Sequence, residues 1–343
     1  MLPTLQLGGN SGLIVSRLCL GTMNFGEPGR GHQGDWTLGP DEARPLFKAA
    51  IDRGLFYFDC ADVYGLGASE TVVGALLREL SPRERYVLAT KISMPMGRNP
   101  NQGGLSRKHV MEGVDACLRR LGVDYIDQLV IHRHPQGVPG YETAPVEESL
   151  EALHDVVKAG KVLYLGASSM FAWQFAELQM LARMNRWTPF VSMQNHYNLV
   201  YREEEREMIP YCIKSGVAIT PWSPLARGIL TGSYQGGFGG GSTARSRGLD
   251  RQRTESLYRG EAVFEIAGRV METADKYGCK PAQIALAWLL AKPGVTAPVV
   301  GVSKLEQLDE LVAATQIILA EEDIAYLEEL YRPIDNLLSL GMS

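Results

Sequence analysis

The stretch SRKHVMEGVDACLRRLGVDYIDQLVI, residues 106–131, contains the repeating unit that decides the fold. Its first apolar residues fall three and four positions apart, at Val110, Val114, Cys117, Leu118 and Leu121. This period predicts a helix with one apolar face, which Ser106 is suited to cap and Gly122 to end. The run YIDQLVI after it has little polar alternation, as is typical of a strand covered on both faces. The stretch therefore predicts a helix followed by a buried parallel strand.

The same unit recurs along the chain. Helices of this period are predicted between Pro40 and Gly54 and between Pro145 and Gly160, each opened by proline and closed by glycine. Strands are predicted in VSRLCL, LFYFD, YVLAT, YIDQLVI, KVLYLG, FVSMQ, GVAIT and APVVG, ending near Leu20, Asp59, Thr90, Ile131, Gly166, Gln194, Thr220 and Gly301. Eight such units close a barrel of roughly 250 residues plus insertions. We therefore predict an α/β fold, a (β/α)8 TIM barrel, as one domain over residues 1–343; an open doubly wound sheet would normally show GxGxxG after an early strand.

Two segments stand outside this alternation. The N-terminal piece around LGGNSGLIV is predicted to form a small β-hairpin that plugs the barrel floor. The second, from about Ser223 to Arg259 after the seventh barrel strand, contains GSYQGGFGGGSTARSRG, and its dense glycine predicts a long mobile loop. Such a loop is either an inert surface insertion or a lid, and its position after a strand end favours the lid.

The composition is that of a folded protein, with 45% hydrophobic and 21% charged residues. A formal charge of -5 provides no basic field for nucleic acid or anionic lipid. The five cysteines are far apart, without metal-ligand spacing, and are predicted to be reduced core residues with no metal site. The N-terminus lacks the features of a signal peptide, and no run approaches the roughly 20 apolar residues of a membrane span. We predict a cytoplasmic protein that binds neither nucleic acid nor membrane; the oligomeric state stays open.

Polar residues follow several predicted strands, at the end of the barrel where chemistry takes place. Asp59 follows the second strand, five residues before Tyr64; Lys91 follows the third strand and His132 the fourth. Each of these residue types alone is common in turns or in packing. The four together indicate a site that donates a proton. Tyrosine, with an ordinary pKa of about 10, is a poor acid, and we expect the Lys91 ammonium, held charged by Asp59, to lower that pKa. A tyrosine aimed at a carbonyl oxygen suits reduction, with hydride from a cofactor because no side chain supplies it.

Four motifs in this order, FDCADVYG, LATK, DYIDQLVIHRHP and KVLYLGASSM, resemble the aldo-keto reductases over nearly the whole chain. FVSMQNHYNL and ITPWSPLARGIL are similar to the branch that includes aryl-alcohol dehydrogenase-like enzymes and potassium-channel beta subunits. The resemblance implies an eight-stranded barrel and an NADP-dependent oxidoreductase. It makes Tyr64 the general acid, Lys91 and Asp59 the residues that tune it, and His132 the residue that orients the carbonyl.

The resemblance also implies a site for NADPH or NADP+. Ser168, Ser169 and Gln194 would hold the nicotinamide carboxamide, and Trp222 would stack on the ring; many members of the family have asparagine where Ser169 stands. By position, the two serines are also predicted to open a helix. The expected cofactor contacts are Gly21, Thr22, Met23, Asp59, Ser168, Ser169, Gln194, Trp222, Ser223, Pro224, Leu225, Arg227, Gly228, Gly301, Val302, Ser303, Lys304, Gln307 and Glu310.

The segment after the eighth predicted strand indicates whether the cofactor is NADPH or NADH. Ser303 and Lys304 stand at a predicted helix start, where a hydroxyl and a positive charge favour the adenosine-ribose phosphate of NADPH over NADH. By resemblance Gln307 and Glu310 face the adenine end, and many relatives have arginine where Gln307 stands. Residues 223–228 resemble the segment that cradles the pyrophosphate.

The substrate is predicted from side chains near the strand ends, at Met23, Phe25, Trp36, Met94, Met96, His134 and Met170. They predict a broad apolar mouth and an aromatic or bulky apolar aldehyde or ketone. The alternative from another class is a cofactor-binding regulatory or redox-sensing subunit with little turnover. A barrel hydrolase or lyase would need a metal cluster or paired catalytic carboxylates, which the sequence does not show. The complete set of Asp59, Tyr64, Lys91 and His132 favours an enzyme.

Overall fold

In the computed structural model, the described residues are 2–31, 34, 36–137, 144–234, 237–243, 246 and 248–333. Strands β1 (Thr4–Gln6) and β2 (Ile14–Ser16) pair antiparallel. The next eight strands are β3 (Cys19–Gly21), β4 (Tyr57–Asp59), β5 (Val87–Ile92), β6 (Ile126–Ile131), β7 (Val162–Ser168), β8 (Phe190–Gln194), β9 (Ala218–Ile219) and β10 (Val299–Val300). They form one parallel sheet in the order β10-β3-β4-β5-β6-β7-β8-β9.

Helices surround this sheet: α1 (Pro40–Asp52), α2 (Ala68–Leu80), α3 (Arg107–Leu121), α4 (Val146–Lys158), α5 (Ala172–Met184), α6 (Met208–Ser215), α7 (Gly248–Leu257), α8 (Val263–Tyr277), α9 (Pro281–Ala291), α10 (Leu305–Ala314) and α11 (Glu321–Glu328). The sequence analysis predicted α1, α3 and α4, and each lies where its apolar period placed it. In α3 the Ser106 hydroxyl accepts a hydrogen bond from the His109 backbone N–H, and Gly122 ends the helix at φ +65°.

The sheet curls until its two edge strands approach each other. Backbone bonds join these two edges, from Thr296 N–H to the Ile219 carbonyl of β9 (2.8 Å) and from Val299 N–H of β10 to the Pro221 carbonyl just after β9 (2.8 Å). The Arg17 guanidinium also donates to carbonyls of this region, those of Leu290, Val295 and Thr296. The predicted (β/α)8 barrel is therefore confirmed.

The N-terminal hairpin covers one end of the barrel, as predicted. Leu7 and Val15 are fully buried in a small cluster with interior barrel residues such as Tyr57 and Val191. Gly8 makes the turn at φ +80°, where a Cβ would stand 2.6 Å from the Val191 carbonyl oxygen. Only glycine fits so close a backbone approach at this dihedral angle.

The segment 223–259, which was predicted to be a long loop, has regular secondary structure over part of its length. It contains 3-10 turns at Ala226–Thr231 and Phe238–Gly240 and the helix α7. The glycine-rich part is short, and the chain after it is held by specific contacts, because Thr254 and Tyr258 are buried. Residues 235, 236, 244, 245 and 247 lie outside the described part of the chain.

The cysteines have no disulfide partner, and all are buried except the half-buried Cys279. Within the described ranges, no group of three or more histidine, cysteine or carboxylate side chains is arranged to hold a metal ion. The helices of the described residues include none that combines the length and apolar character needed to cross a membrane.

Candidate active site

Four polar side chains meet at the carboxyl ends of β4, β5 and β6. The Lys91 Nζ donates to Asp59 Oδ2 at 2.5 Å, to the Cys60 carbonyl at 2.8 Å and to Tyr64 Oη at 3.3 Å. The His132 ring lies edge-on to the Tyr64 ring, with centroids 6.1 Å apart. The structure thus brings together all four residues that the sequence singled out for catalysis.

Burial and the neighbouring charges together set the charge states of this cluster. Desolvation disfavours the Lys91 ammonium, but Asp59 and Tyr64 more than offset it, so the pKa of Lys91 lies above its ordinary value. Desolvation, with smaller contributions from Lys91 and two arginines, holds the pKa of His132 well below its usual range. The ring is therefore neutral at physiological pH. Its Nδ1 is buried without a partner, which leaves Nε2 as the accessible nitrogen.

Lys91 lowers the pKa of Tyr64, as expected, but burial has the larger effect. Burial raises the pKa of the phenol above its ordinary value, and the nearby ammonium offsets only part of that rise. Tyr64 is therefore fully protonated at neutral pH. A protonated phenol is a proton donor, and the adjacent ammonium favours the phenolate that is left behind.

The predicted carboxamide contacts form a continuous network with this cluster. Gln194 Nε2 donates to Asp59 Oδ1 at 3.0 Å, and the Ser168 hydroxyl donates to the Gln194 carbonyl at 2.9 Å. The Ser168 and Ser169 oxygens are 3.1 Å apart, and Trp222 Nε1 donates to the Ser169 hydroxyl at 3.0 Å. These four side chains therefore lie side by side. The prediction that the serines open a helix is wrong, because Ser168 ends β7, Ser169 is left-handed at φ +50° and α5 begins only at Ala172.

A stack of rings behind Trp222 was missed in the sequence. His196 lies flat between Trp222 and Tyr201, with centroid distances of 4.1 and 4.2 Å. The His196 Nε2 is 2.8 Å from the Tyr258 hydroxyl, which follows α7. The stack covers one face of the Trp222 indole and holds the ring in place. The aromatic run around His196 was the available signal, but sequence alone does not show which rings meet.

The segment predicted to cradle a pyrophosphate has an unusual backbone. Ser223, Ala226 and Arg227 are left-handed, at φ +53°, +48° and +55°. Such strain in non-glycine residues is concentrated at functional sites. The Arg227 guanidinium is not free, since it pairs with Asp250 at 2.5 Å and donates to the Thr254 hydroxyl at 2.9 Å. Both partners belong to α7, so this ion pair docks α7 onto the segment.

The predicted adenosine phosphate site lies at the start of α10. Ser303 and Lys304 are exposed there, and their backbone N–H groups donate to Gln307 Oε1 at 2.8 and 3.2 Å. The Gln307 side-chain oxygen therefore caps the helix by accepting from the same backbone N–H groups that would bind an anion. Gly301 is exposed, Glu310 is half-buried, and Val302 is buried with its carbonyl accepting from Asn24 at 2.6 Å.

The first predicted contacts, after β3, lie mostly inside the protein. Gly21 and Thr22 are buried, and the Thr22 hydroxyl donates to the Asp59 carbonyl at 3.0 Å. A Cβ at Gly21 would stand 2.7 Å from Val299 Cγ1, so glycine there allows β3 and β10 to pack. Met23 is half-buried.

The predicted substrate mouth is only partly supported. Phe25 does not line it, because its ring is fully buried and packs edge-on against Phe47 at 5.1 Å. His134 is also buried, and its ring lies 6.5 Å from that of the exposed Trp173. The half-buried residues of the predicted set are Met23, Trp36, Met94, Met96 and Met170.

Comparison with known proteins agrees with this geometry. The sequence profile described as "Aldo/keto reductase family" matches residues 17–332. The chain is 43% identical to the versiconal hemiacetal acetate reductase of Aspergillus parasiticus, over 95% of this chain and 96% of that protein. It is 43% identical to a Schizosaccharomyces pombe protein whose name places it with the aryl-alcohol dehydrogenases, over 95% of each chain. It is 41% identical to an aldo-keto reductase of Alternaria alternata, over 94% of this chain and 90% of that one.

Proposed function

The chain belongs to the aldo/keto reductase family, and we propose that it reduces an aldehyde or ketone with NADPH, using Tyr64 as the proton donor. The family relationship supports carbonyl reduction by an oxidoreductase with a nicotinamide cofactor. The observation that carries the finer proposal is the 3.3 Å contact between Tyr64 Oη and Lys91 Nζ, whose charge is matched by Asp59 at 2.5 Å.

Each residue of the cluster has a separate task. Tyr64 donates its proton to the carbonyl oxygen as negative charge develops there. Lys91 remains an ammonium throughout and favours the phenolate that Tyr64 becomes. His132, neutral and with Nε2 accessible, donates a hydrogen bond to the same oxygen and sets its direction. The bound nicotinamide supplies the hydride that side chains lack.

The residues expected around the nicotinamide fit such a ring. Trp222 is partly exposed while His196 covers one of its faces, so the indole is a rigid surface for stacking. The Gln194 amide nitrogen is used by Asp59, which leaves the amide oxygen to accept from a carboxamide N–H. Ser303 and Lys304 favour NADPH over NADH.

The proposed substrate is aromatic or bulky and apolar. Met94, Met96 and Met170 are half-buried beside the strand ends, and methionine adapts its shape to flat apolar ligands. The Aspergillus parasiticus relative is named as the reductase of a hemiacetal acetate, which supports a carbonyl-derived substrate here also.

The test is the loss of NADPH absorbance with a panel of aromatic aldehydes. We expect turnover by the native protein and a loss of roughly 10²–10⁴-fold in kcat for Tyr64→Phe, because that variant lacks the acid. Tyr326→Phe is the matched control, since Tyr326 lies on the surface and bonds Glu272. NADPH binding, followed by fluorescence, should survive in both variants.

Two outcomes would contradict the proposal. Undiminished turnover by Tyr64→Phe would show that another group is the acid. NADPH binding without reduction of any aldehyde would favour the regulatory or redox-sensing subunit.

A further inference from the structure

The hydroxyl of Tyr258, directly after α7, lies at the edge of the ring stack behind Trp222. Tyr258 is 2% exposed, and its Oη is 2.8 Å from His196 Nε2. Asn198 Nδ2 donates to the same Oη at 3.3 Å and to the Ser223 carbonyl at 2.9 Å. The hydroxyl therefore contacts both the ring that covers Trp222 and the side chain that holds the next residue of the chain.

The direction of these hydrogen bonds follows from what each group can donate or accept. The Asn198 amide nitrogen only donates, and its Oδ1 accepts from the Val200 backbone N–H at 3.1 Å, so the Tyr258 oxygen is the acceptor. The Tyr258 proton is then left for His196 Nε2. That nitrogen accepts it because burial, with Arg227, lowers the pKa of His196 to about 3 and keeps the ring neutral. The hydroxyl thus fixes one tautomer and one edge of the imidazole.

Stacking alone does not hold the imidazole in this way. The rings of Trp222 and Tyr201 lie 4.1 and 4.2 Å from it, at interplanar angles of 9° and 16°, and resist a tilt of the ring. Parallel rings tolerate a lateral offset, so these contacts restrain sliding less than tilting. The hydrogen bond at Nε2 opposes sliding, because the hydroxyl that makes it belongs to a buried residue.

The position of Tyr258 depends in turn on how α7 docks. Asp250, Thr254 and Tyr258 are four residues apart and share one side of the helix, and the Tyr258 N–H donates to the Thr254 carbonyl at 3.1 Å. On that side Arg227 pairs with Asp250 and donates to the Thr254 hydroxyl. A continuous set of contacts therefore runs from the segment proposed for the pyrophosphate, through Tyr258 and His196, to the indole proposed for the nicotinamide.

We infer that Tyr258 is a positioning residue for hydride transfer: its hydroxyl orients His196, and through that ring it holds the Trp222 indole against which the nicotinamide lies. The inference rests on the proposed function, because it concerns the cofactor site of the same reaction. It gives the hydroxyl a task in placing the nicotinamide and no task at the adenosine end, which we place at the start of α10.

The test separates the two ends of the cofactor. Adenosine 2′,5′-bisphosphate carries the adenosine end without the nicotinamide, so calorimetric titration with this compound and with NADPH gives a ratio of two Kd values. Tyr258→Phe keeps the ring and removes the hydroxyl. It should weaken NADPH binding about fivefold and slow hydride transfer at saturating NADPH by a similar factor, since one hydrogen bond is lost. Binding of the bisphosphate should be unchanged, which also shows that the variant is folded.

Tyr277→Phe is the matched control. The Tyr277 hydroxyl is also hydrogen-bonded twice, to the Asp323 carboxylate and to the Ala320 N–H, but it lies at the contact between α8 and α11. This variant should leave the ratio of Kd values and the rate of hydride transfer unchanged.

A double-mutant cycle tests the route through His196. If the hydroxyl acts by holding that ring, Tyr258→Phe should have no further effect in a His196→Phe background, because phenylalanine offers no acceptor.

Each of the other results overturns the inference. Equal weakening of NADPH and of the bisphosphate by Tyr258→Phe would reduce its role to the docking of α7. Losses that add in the double variant would show that the hydroxyl does not act through His196. No change in Tyr258→Phe, while the native protein reduces aldehydes, would reject the inference and leave the proposed function intact. If the native protein neither binds NADPH nor reduces an aldehyde, the proposed function fails, and the inference fails with it.

Discussion

Replacing Lys91 by methionine should damage stability as well as activity. All three protons of the Lys91 ammonium have acceptors, on Asp59, Cys60 and Tyr64, and both charged side chains are buried, at 0% and 2% exposure. Methionine fills similar space but leaves the Asp59 carboxylate inside the protein with the Gln194 amide as its remaining side-chain donor. Removing one partner of a buried ion pair costs about 3–5 kcal/mol of unfolding free energy.

A double-mutant cycle tests this explanation. Asp59→Asn combined with Lys91→Met removes both charges, so the loss should be smaller than the sum of the two single losses by about 2 kcal/mol or more. Urea unfolding followed by circular dichroism measures each free energy. Lys48→Met, which breaks an exposed pair with Asp52, is the control and should change little. The reasoning is refuted if Lys91→Met loses no more stability than the control, or if the two single losses simply add.

Three further predictions concern the rings and the helix start. Trp222→Ala should weaken NADPH binding about tenfold, because stacking on the nicotinamide is lost; an unchanged Kd in a fluorescence titration would remove Trp222 from the site. Burial, with Arg227, lowers the pKa of His196 to about 3, so the unfolded state alone takes up this proton below about pH 6.5. The native protein should therefore lose about 2 kcal/mol more stability than His196→Phe between pH 7 and pH 5, measured by urea unfolding at each pH. Gln307→Arg should raise the preference for NADPH over NADH about tenfold, since it frees the Ser303 and Lys304 N–H groups and adds a charge; equal gains for both cofactors would contradict this reason.

The parts of the structure that repeat were predictable from sequence. Residues 106–131 carry a helical period, a cap, a stop and an apolar run, and each of these signals is local. Once the barrel follows from their repetition, the ends of parallel strands must meet at one rim, which brings Asp59, Lys91 and His132 together. Asp59, Lys91 and His132, together with the nearby Tyr64, could therefore be grouped from the sequence without any measured distance.

The remaining features depend on contacts between distant parts of the chain. Phe25 is of a residue type that is common in ligand pockets, but it is buried because it packs against Phe47 of α1. The helix α7 follows a glycine-rich stretch and is held by Arg227, a contact that no local pattern reveals. The pKa of Tyr64 depends on a balance between burial and Lys91, and sequence shows only the second of these.

The closure of the barrel has a consequence for its dynamics. β9 and β10 contribute two residues each, and the gap between them is bridged by single backbone bonds such as those of Thr296 and Val299. In native-state hydrogen exchange these amides should exchange sooner than those of the six-residue strands β5 and β6. The proposed cofactor contacts follow both short strands, so a bound dinucleotide would contact both sides of the gap and hold them together. Its binding should slow exchange at the gap and protect the chain there from proteases.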